Sequence, residues 1–457
     1  MSASVHILGI CGTFMGGVAL LARELGYRVT GSDANIYPPM STMLREAGIE
    51  IAEGYSPDNL SPAPDLVVIG NALSRGNAAV EYVLNERIPY TSGPQWLGEL
   101  MTNRWVMAVS GTHGKTTTSS MLTWILECAE KDPGFLVGGV PFGFEGSARL
   151  GSGPFVVEAD EYDSAFFDKR SKFVHYKPKT LVINNLEFDH ADIFDDLSAI
   201  QTQFHHLIRC IPSSGKIIAA AGKAIDDVLN RGVWTPTERM AVDDDQSWAV
   251  EGLTESYSHI RIRTPNGDDG EVAWSLIGRH NAENALSAVS AACHVGISLK
   301  AACEALSKFE GVKRRLEFLG KPAGVSIYDD FAHHPTAITS TLLGLRSAIG
   351  EARLIAVVEL RSNTMKDGTH RASLIPATQG ADAVFWFQPQ SSGWSLSNSA
   401  DASLKHCFFS EVQVLHDALI AEVKAGDHLV IMSNGSFSGL HQQLLQSLAD
   451  SASTMEL

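Results

Sequence analysis

Short apolar runs rich in valine and isoleucine recur along the chain, separated by segments in which apolar residues have helical spacing. Such short runs are typical of strands buried on both faces, as in parallel sheets. Their alternation with helical segments predicts an α/β architecture. The predicted strands are Val5–Ile10, Leu66–Ile69, Val106–Val109, Phe155–Val157, Leu181–Ile183, Val325–Tyr328, Leu354–Val358, Ala383–Phe387 and Leu429–Met432.

One segment in the middle third departs from this pattern. Residues 258–263 alternate polar and apolar side chains, an Asn266-Gly267 pair follows, and the alternation resumes at Val272. Period-two alternation on both sides of an Asn-Gly pair predicts a β-hairpin. The serine-rich stretch 391–403 and the residues after Ser447 are predicted to be a surface loop and a frayed end.

The length of 457 residues, at about 150 residues per domain, predicts roughly three domains. One boundary is placed near Thr102–Trp105, before a new strand. The other is placed at Phe309–Arg315, where a predicted helix gives way to a basic link. The predicted domains therefore span residues 1–104, 105–312 and 313–457.

The charge balance narrows the possible partners. Lys and Arg number 35 and Asp and Glu number 52, so the formal net charge is −17. Such a chain is a poor candidate for holding nucleic acid or an anionic membrane over a broad face, although it can still hold anions in clefts. No apolar run approaches the ~20 residues that cross a bilayer, and the N-terminus lacks the basic region of a signal peptide. The six cysteines form no C-x-x-C pair, so we expect a cytoplasmic protein without a disulfide framework.

The most specific motif is GTHGKTTT at residues 111–118, between a predicted strand and a helical segment. In this context, backbone N–H groups and the positive helix N-terminus cradle phosphate oxygens. Lys115 can reach the terminal phosphates, and the Thr116 hydroxyl can hold Mg²⁺. Val109 stands where the strict motif has a glycine, so the motif is a GTxGKT variant.

A second glycine-rich turn, from Gly9 to Gly17, is less specific. Asp33 lies 21 residues after Gly12 at the end of another strand, about where a dinucleotide fold places its ribose-binding acid. The spacing G-x-x-G-x-x-x-G does not meet the dinucleotide fingerprint. A nucleotide diphosphate therefore fits this turn better than NAD, and a plain tight turn is the alternative.

Acidic and imidazole groups follow two predicted strands of the middle third, in the segments EADEYD and NNLEFDH. Open α/β sheets bind ligands beyond the carboxyl ends of their strands. Carboxylate and imidazole are suitable ligands for a divalent cation. Glu158 and His190 are the candidate ligands, with solvated loop residues as the alternative. The pairs His205-His206 and His333-His334 lack such a carboxylate context and are predicted to be surface or supporting groups.

Basic residues are few, so their positions are informative. Arg315 ends a basic run at the second boundary, where an arginine could reach a nucleotide held by the middle domain; a solvated charge run is the alternative. Two strands of the last third end in the polar segments 361–364 and 433–436. Arg361 carries the planar fork that recognises a carboxylate bidentately.

Along nearly the whole chain, these motifs resemble the Mur ligase family, the ATP-dependent amide-bond formers of bacterial cell-wall metabolism. The blocks that carry the resemblance are GTHGKTTT, EADEYDSAF, NNLEFDHADIF, GRHNAENALSA, GVKRRLEFLG and YDDFAHHPT. The first, second and last are similar to the branch that acts on UDP-N-acetylmuramate. Within that branch, ELRSNTMKDGTH and IMSNGSFSGLH are closer to ligases that attach a recycled tripeptide than to those that attach L-alanine.

The resemblance implies a three-domain α/β fold. A Rossmann-like N-terminal domain would bind the UDP-sugar, a central P-loop ATPase domain with a mainly parallel sheet would bind ATP, and a Rossmann-like C-terminal domain would bind the acceptor. Some members of the family carry a carbamylated lysine roughly fifteen residues after the equivalent of His190. Residues 201–206 contain no lysine, so a carbamate bridge to a second metal is not available.

The resemblance also implies roles for the matching residues. ATP would contact Gly111, Thr112, His113, Gly114, Lys115, Thr116, Thr117, His280, Asn281, Asn284, Arg315 and Asp330. Thr116, Glu158 and His190 would hold Mg²⁺, and the catalytic groups would be Lys115, Glu158, His190 and Arg315. The substrates would contact Gly12, Thr13, Ser32, Asp33, Arg361, Ser362, Asn363 and Asn434.

The implied reaction joins UDP-N-acetylmuramate to L-Ala-γ-D-Glu-meso-diaminopimelate through an acyl phosphate, in peptidoglycan recycling. The expected partners are these two substrates, with the protein as a monomer or weak homodimer. Three alternatives stay open: free L-alanine as acceptor, a nicotinamide oxidoreductase that uses the first glycine-rich turn, and a non-catalytic nucleotide sensor.

Overall fold

The computed structural model describes residues 3–37, 40–189, 193–241, 247–389, 393–399 and 405–455. Within these ranges the chain forms an α/β fold built on three large sheets that follow one another along the sequence. The strands are β1 Ser4–Leu8, β2 Arg28–Asp33, β3 Glu50–Glu53, β4 Leu66–Ile69, β5 Tyr90–Ser92, β6 Val106–Ser110, β7 Gly134–Leu136, β8 Ala148–Arg149, β9 Phe155–Ala159, β10 Asp163–Ala165, β11 Asp168–Ser171, β12 Thr180–Ile183, β13 Lys216–Ala220, β14 Thr237–Ala241, β15 Trp248–Gly252, β16 His259–Arg263, β17 Asp269–Ala273, β18 Glu317–Gly320, β19 Ser326–Asp330, β20 Leu354–Glu359, β21 Ala383–Phe387, β22 Lys405–Phe409 and β23 His428–Met432. The helices are α1 Thr13–Glu24, α2 Met40–Glu46, α3 Ala78–Asn85, α4 Gly93–Leu100, α5 Lys115–Cys128, α6 Leu197–Ile208, α7 Lys223–Leu229, α8 Arg279–His294, α9 Leu299–Leu306, α10 Pro335–Ile349, α11 Asn363–Lys366, α12 Arg371–Leu374, α13 Val412–Glu422 and α14 Leu440–Met455.

The N-terminal sheet has five parallel strands in the order β3-β2-β1-β4-β5. All five residues of the central strand β1 are buried. This order, with the glycine-rich turn directly after the central strand, confirms the Rossmann-like architecture expected for this part of the chain.

The central sheet has ten strands in the order β17-β16-β15-β14-β13-β12-β6-β9-β7-β8. Strands β15 to β7 in this order are parallel, and the pairs at the two ends are antiparallel. Ser110 at the end of β6 is in register with Ala159 of β9 and Ile183 of β12. The loops that follow these three strands therefore begin side by side at one edge of the sheet.

The hairpin predicted around the Asn266-Gly267 pair is present as β16 and β17. Its strands are antiparallel, with Arg263 opposite Asp269. Ile260, Ile262 and Val272 are fully buried, as the alternation predicts. The hairpin extends the central sheet through β15, so its apolar face joins the core of that sheet.

The C-terminal sheet has six strands in the order β18-β19-β23-β20-β21-β22, with only the β18–β19 pair antiparallel among those described. Val358 of β20 is in register with Met432 of β23. The polar segments 361–364 and 433–436 therefore start from the same edge of this sheet.

The predicted frayed end is wrong, and the predicted surface loop contains a buried residue. The chain after Ser447 is not frayed as far as Met455, because α14 continues through it and Leu448 is buried in an apolar cluster with Leu444. Within the serine-rich stretch, Leu396 is fully buried, while Gly393, Ser395 and Ser397 are exposed, so one apolar side chain anchors this loop to the core. Residues 391–392 and 400–403 of that stretch lie outside the described residues.

Several strands were not predicted, among them β8, β11 and β18. They are two to four residues long and carry many polar side chains, so they leave no apolar run in the sequence. No helix in the described part of the chain is long and apolar enough to cross a membrane.

We expect Phe204→Ala to destabilise the central unit by about 3–5 kcal/mol. Phe204 is 1% exposed on α6, and its ring meets that of Phe173 edge to face at 5.3 Å, so truncation opens a cavity. The measurement is the urea midpoint of the unfolding transition followed by circular dichroism. Leu343→Ala, at a side chain 57% exposed on α10, is the control and is expected to cost about 0.5 kcal/mol or less. Equal shifts for the two variants would contradict the packing described.

Candidate active site

The phosphate-loop motif forms the turn between β6 and α5. Gly111 and Gly114 have φ angles of 133° and 80°, values that strain residues with a side chain. A Cβ on Gly114 would lie 2.3 Å from Asn284 Oδ1 of α8. Glycine is therefore required at Gly114 both by the backbone conformation and by the close packing of α8.

The NNLE segment after β12 supports this loop. The backbone N–H of His113 donates to Asn185 Oδ1 at 2.7 Å, and Asn185 Nδ2 donates back to the His113 carbonyl at 3.0 Å. The N–H of Glu187 donates to Thr112 Oγ1 at 2.9 Å. Sequence reasoning treated this segment only as the approach to His190 and missed its role, because the contacts join residues more than seventy positions apart. His190 itself lies outside the described residues.

Lys115 is largely buried, with 12% of its side chain exposed. Its Nζ donates to the Gly111 carbonyl at 2.7 Å and lies 3.5 Å from Asp160 Oδ1 and from Glu161 Oε2. Burial alone would lower the pKa of Lys115, but the carboxylates of Glu161 and Asp160 outweigh it, and the pKa lies above its ordinary value. Lys115 is therefore a permanent cation on the loop.

Glu158 stands at the end of β9, on the same edge of the sheet. Its Oε1 accepts the backbone N–H of Gly138 at 2.6 Å. Burial, and next the nearby charge of Asp160, raise the pKa of Glu158. A carboxylate in this setting is stabilised by a bound cation. Together with the Thr116 hydroxyl it supplies the oxygen ligands that Mg²⁺ prefers, so these two residues fit the expected metal.

Arg315 connects the link before β18 to the phosphate loop. Its Nη2 donates to Thr116 Oγ1 at 2.9 Å, and its guanidinium lies 4.7 Å from the ring centre of Phe331. Burial lowers the pKa of Arg315, while the charges of Asp330 and Glu158 oppose that effect.

Asp330, at the end of β19, holds in position the chain neighbours of Arg315 and Phe331. Its carboxylate accepts the N–H of Leu316 at 2.7 Å, the N–H of Ala332 at 2.8 Å and the hydroxyl of Thr341 at 3.1 Å. Burial raises the pKa of Asp330 against the opposing charge of Arg315. In this arrangement Asp330 orders the segment that carries Arg315.

Three of the residues implied to contact ATP, His280, Asn281 and Asn284, lie in the first turns of α8. Asn284 Oδ1 accepts the hydroxyl of Thr118 at 3.1 Å, and Asn281 Nδ2 donates to the Ile277 carbonyl at 2.8 Å. Burial lowers the pKa of His280 to about 4, so its ring is neutral at pH 7. Asn284 thus packs on the phosphate loop, while His280 and Asn281 lie at the start of the same helix.

A cavity of about 300 Å³ opens between the first glycine-rich turn and the central sheet. Gly12 and Thr13 line one side of it, and Gly138 and Glu158 line the other. Gly12 precedes α1 without a side-chain cap, so backbone N–H groups of the first turn are available to an anionic ligand.

Ser32 and Asp33 shape this turn but do not line the cavity. The Ser32 hydroxyl is fully buried between His6 Nε2 at 2.8 Å and Asn59 Nδ2 at 3.2 Å. Asp33 Oδ2 accepts the N–H of Cys11 at 2.8 Å. Their hydrogen bonds hold the glycine-rich turn in position, and the direct contact with the substrate that the resemblance implies stays a prediction.

The polar segments of the C-terminal unit meet around Arg361. A Cβ on Gly435 would lie 2.4 Å from Arg361 Cζ, so the two segments touch there. The Ser362 hydroxyl accepts the N–H of Met365 and caps α11, which Asn363 begins. Asn434 Oδ1 is buried without a hydrogen-bond partner among the described residues. Arg361 keeps 47% of its side chain exposed, and its Nη1 lies 3.9 Å from the buried Glu359 Oε1.

A histidine cluster joins the central and C-terminal units, and the surface alternative is wrong for His334. His334 is 6% exposed, and ligand atoms of His113, Glu187 and His334 lie within 4.8 Å of one another. Thr336 Oγ1 donates to Glu187 Oε2 at 2.7 Å. The His113 ring, whose Nε2 lies 3.6 Å from Glu187 Oε2, is the main cause that lowers the pKa of Glu187 to about 2.

The hydrogen bonds of this cluster select one tautomer of His334. In that tautomer the cluster is a contact between the central and C-terminal units. His334 Nδ1 accepts the backbone N–H of Thr336 at 3.3 Å, at the start of α10. Nε2 of the neutral ring then carries the proton and has no lone pair for a metal. His205, of the other pair, lies beside Trp234, with ring centres 6.2 Å apart.

Comparison with known proteins gives matches over most of the chain. Family models described as Mur ligase family, catalytic domain, Mur ligase middle domain, and Mur ligase, glutamate ligase domain match residues 4–105, 109–292 and 314–435. A relative from Escherichia coli K12, named UDP-N-acetylmuramate–L-alanyl-γ-D-glutamyl-meso-2,6-diaminoheptandioate ligase, is 53% identical over 98% of this chain and 99% of its own. A crystal structure of a murein peptide ligase from Psychrobacter arcticus 273-4 has 49% identity and a TM-score of 0.77, covering 98% of this chain and 99% of that one. A UDP-N-acetylmuramate–L-alanine ligase from Syntrophomonas wolfei is 31% identical over 98% of this chain and 97% of its own.

We expect the protein to lose stability as the pH falls from about 6.5 to about 4. Burial lowers the pKa of His334 to about 4, so in this window the unfolded chain takes up a proton that the folded chain refuses. The contribution of His334 is fully present above its unfolded pKa of 6.5 and is lost on acidification, by about 1.4 kcal/mol per pH unit at the steepest.

Urea unfolding across this window, compared with His334→Asn, is the measurement. Asparagine can still cap α10, so the variant should fold and show a shallower pH dependence. Some slope will remain, because burial also lowers the pKa values of His6, His280 and His333 to about 4. His259→Asn, at an exposed ring paired with Glu271, is the matched control. A slope equal to that of this control would refute the burial effect at His334.

Proposed function

Because this chain belongs to the Mur ligase family, we propose that it is an ATP-dependent ligase that joins UDP-N-acetylmuramate to the tripeptide L-Ala-γ-D-Glu-meso-diaminopimelate. The observation that carries the proposal is the 53% identity, over nearly the full length, to the Escherichia coli ligase named for this reaction. In this proposal ATP would bind at the phosphate loop, the UDP-sugar in the cavity beside the first sheet, and the tripeptide near Arg361. A nicotinamide oxidoreductase would leave the phosphate loop without a use.

The first step activates the donor. The lactyl carboxylate attacks the γ-phosphorus of ATP, an acyl phosphate forms and ADP leaves. Two anions meet in this step, so fixed positive charge lowers its barrier. Lys115 supplies that charge on the loop, and Arg315 lies within hydrogen-bond reach of Thr116 beside it. Thr116 and Glu158, with His190, would hold Mg²⁺, which supplies further positive charge.

The second step forms the amide. The amine of the tripeptide attacks the acyl carbon, the tetrahedral intermediate collapses and phosphate leaves. Arg361 and the segment that starts α11 would hold carboxylates of the acceptor, and the partial exposure of the guanidinium at the edge of the C-terminal sheet supports this role. Orientation of two bound substrates by separate units accounts for a large part of the rate enhancement in such reactions.

A side-by-side acceptor assay tests the proposal. The protein, with ATP, Mg²⁺ and UDP-N-acetylmuramate, is given either the tripeptide or L-alanine, and phosphate release and the UDP-linked product are measured. We expect turnover with the tripeptide and little with L-alanine. Efficient turnover of L-alanine alone would make the protein an L-alanine ligase, and nucleotide binding without turnover of either acceptor would favour a sensor.

Lys115→Met should lower the ligation rate by at least about a hundredfold, because it removes the cation that faces the transferred phosphoryl group. The readout is the rate of tripeptide ligation at saturating ATP. Lys308→Met, at an exposed lysine, is the control and should keep normal turnover. Near-normal turnover by Lys115→Met would rule out phosphoryl transfer at this loop.

A further inference from the structure

Lys172 has an unusual environment for a lysine. It follows β11, and its backbone N–H donates to the Tyr162 carbonyl at 2.8 Å, which fixes the start of its side chain. The residue is only 8% exposed. Its Nζ lies 5.2 Å from the ring centre of Phe14 and 5.3 Å from that of Tyr162, so two aromatic rings flank the ammonium.

No carboxylate neutralises this ammonium. Among the residues that the structure describes, Lys172 Nζ has no ion pair and no hydrogen bond, whereas Lys115 has two carboxylates at 3.5 Å and Lys169, three positions earlier, pairs with Asp163. Taking a charged group out of water without a partner is unfavourable, and cation–π contacts compensate for only part of that cost. A buried unpaired cation is therefore expected where a ligand brings the opposite charge.

The side chain of Lys172 lines the same cavity as Gly12, Thr13 and Glu158. Phe14, which touches it, belongs to the first turn of α1, whose N-terminal N–H groups lie at one end of that cavity. The cavity therefore combines an uncapped helix N-terminus with an unpaired ammonium, and both features select an anion.

We propose that Lys172 is a donor-binding residue whose ammonium pairs with an anionic oxygen of the UDP-sugar. This inference rests on the proposed function, since that function places UDP-N-acetylmuramate in the cavity. The donor offers two such anions, the diphosphate and the lactyl carboxylate. The hydrogen bond from the ammonium to either anion is charge-assisted, and it replaces water that the ammonium would otherwise keep.

The experiment compares Lys172→Met with the wild-type protein by isothermal titration calorimetry. Methionine keeps the length of the side chain and its packing between the two rings but removes the charge. The ligands are UDP, UDP-N-acetylmuramate and, as an internal control for the folded state, ATP. Lys169→Met is the matched control, because Lys169 lies in the strand just before Lys172 and is exposed and paired with Asp163.

We expect Lys172→Met to weaken binding of UDP-N-acetylmuramate by about ten- to a hundredfold, with ATP affinity unchanged. An equal loss for UDP assigns the ammonium to the diphosphate, and an unchanged affinity for UDP assigns it to the lactyl carboxylate. In ligation assays, the KM for UDP-N-acetylmuramate should rise while the KM for ATP stays constant. If the methionine variant does not fold, Lys172→Gln is measured in the same way.

Unchanged binding of UDP-N-acetylmuramate in the Lys172 variant, or a loss no larger than that in Lys169→Met, overturns the inference alone. A wild-type protein that fails to bind UDP-N-acetylmuramate overturns the proposed function, and the inference with it. A wild-type protein that binds this donor but does not ligate the tripeptide overturns only the proposed function, because the affinity comparison still decides the role of Lys172.

Discussion

The proposed ligands of this protein are anions, although its own net charge is −17. At long range the net charge repels anions, so the positive charge that binds them has to be local and fixed. Lys115, Arg315 and Lys172 supply it in three different ways: Lys115 is held by carboxylates, Arg315 by the Thr116 hydroxyl and an aromatic ring, and Lys172 by aromatic rings alone.

The order of three central strands brings these groups together. Strands β9, β6 and β12 lie side by side, and the residues that end them are in register. Consequently the loop of Lys115, the carboxylates after β9 and the Asn185–Glu187 segment after β12 share one edge, although the sequence separates them by up to about seventy residues. The glycines of the loop are part of the same constraint, because Asn284 of α8 packs where a side chain at Gly114 would stand.

Features with a local cause could be predicted from the sequence. The parallel strands, the β16–β17 hairpin and the phosphate loop each depend on residues within about fifteen positions, and each is present. The neighbours of His113 could not be predicted, because His334 approaches it from another sheet and 221 positions away. The burial of the Ser32 hydroxyl depends on His6 in the adjacent strand, and the setting of Lys172 depends on Phe14 in the first unit. Neither pairing leaves a pattern in the chain.

Threonine hydroxyls make several of the contacts between the central and C-terminal units. Arg315 donates to Thr116, Thr336 donates to Glu187, and Thr364 donates to Asp189. Single hydrogen bonds of this kind contribute about 1 kcal/mol each, so breaking one of these contacts between the units costs little free energy. In the proposed reaction Thr116 would also be a ligand of Mg²⁺. Its hydrogen bond with Arg315 therefore connects the expected metal site directly to the link that Asp330 holds in position.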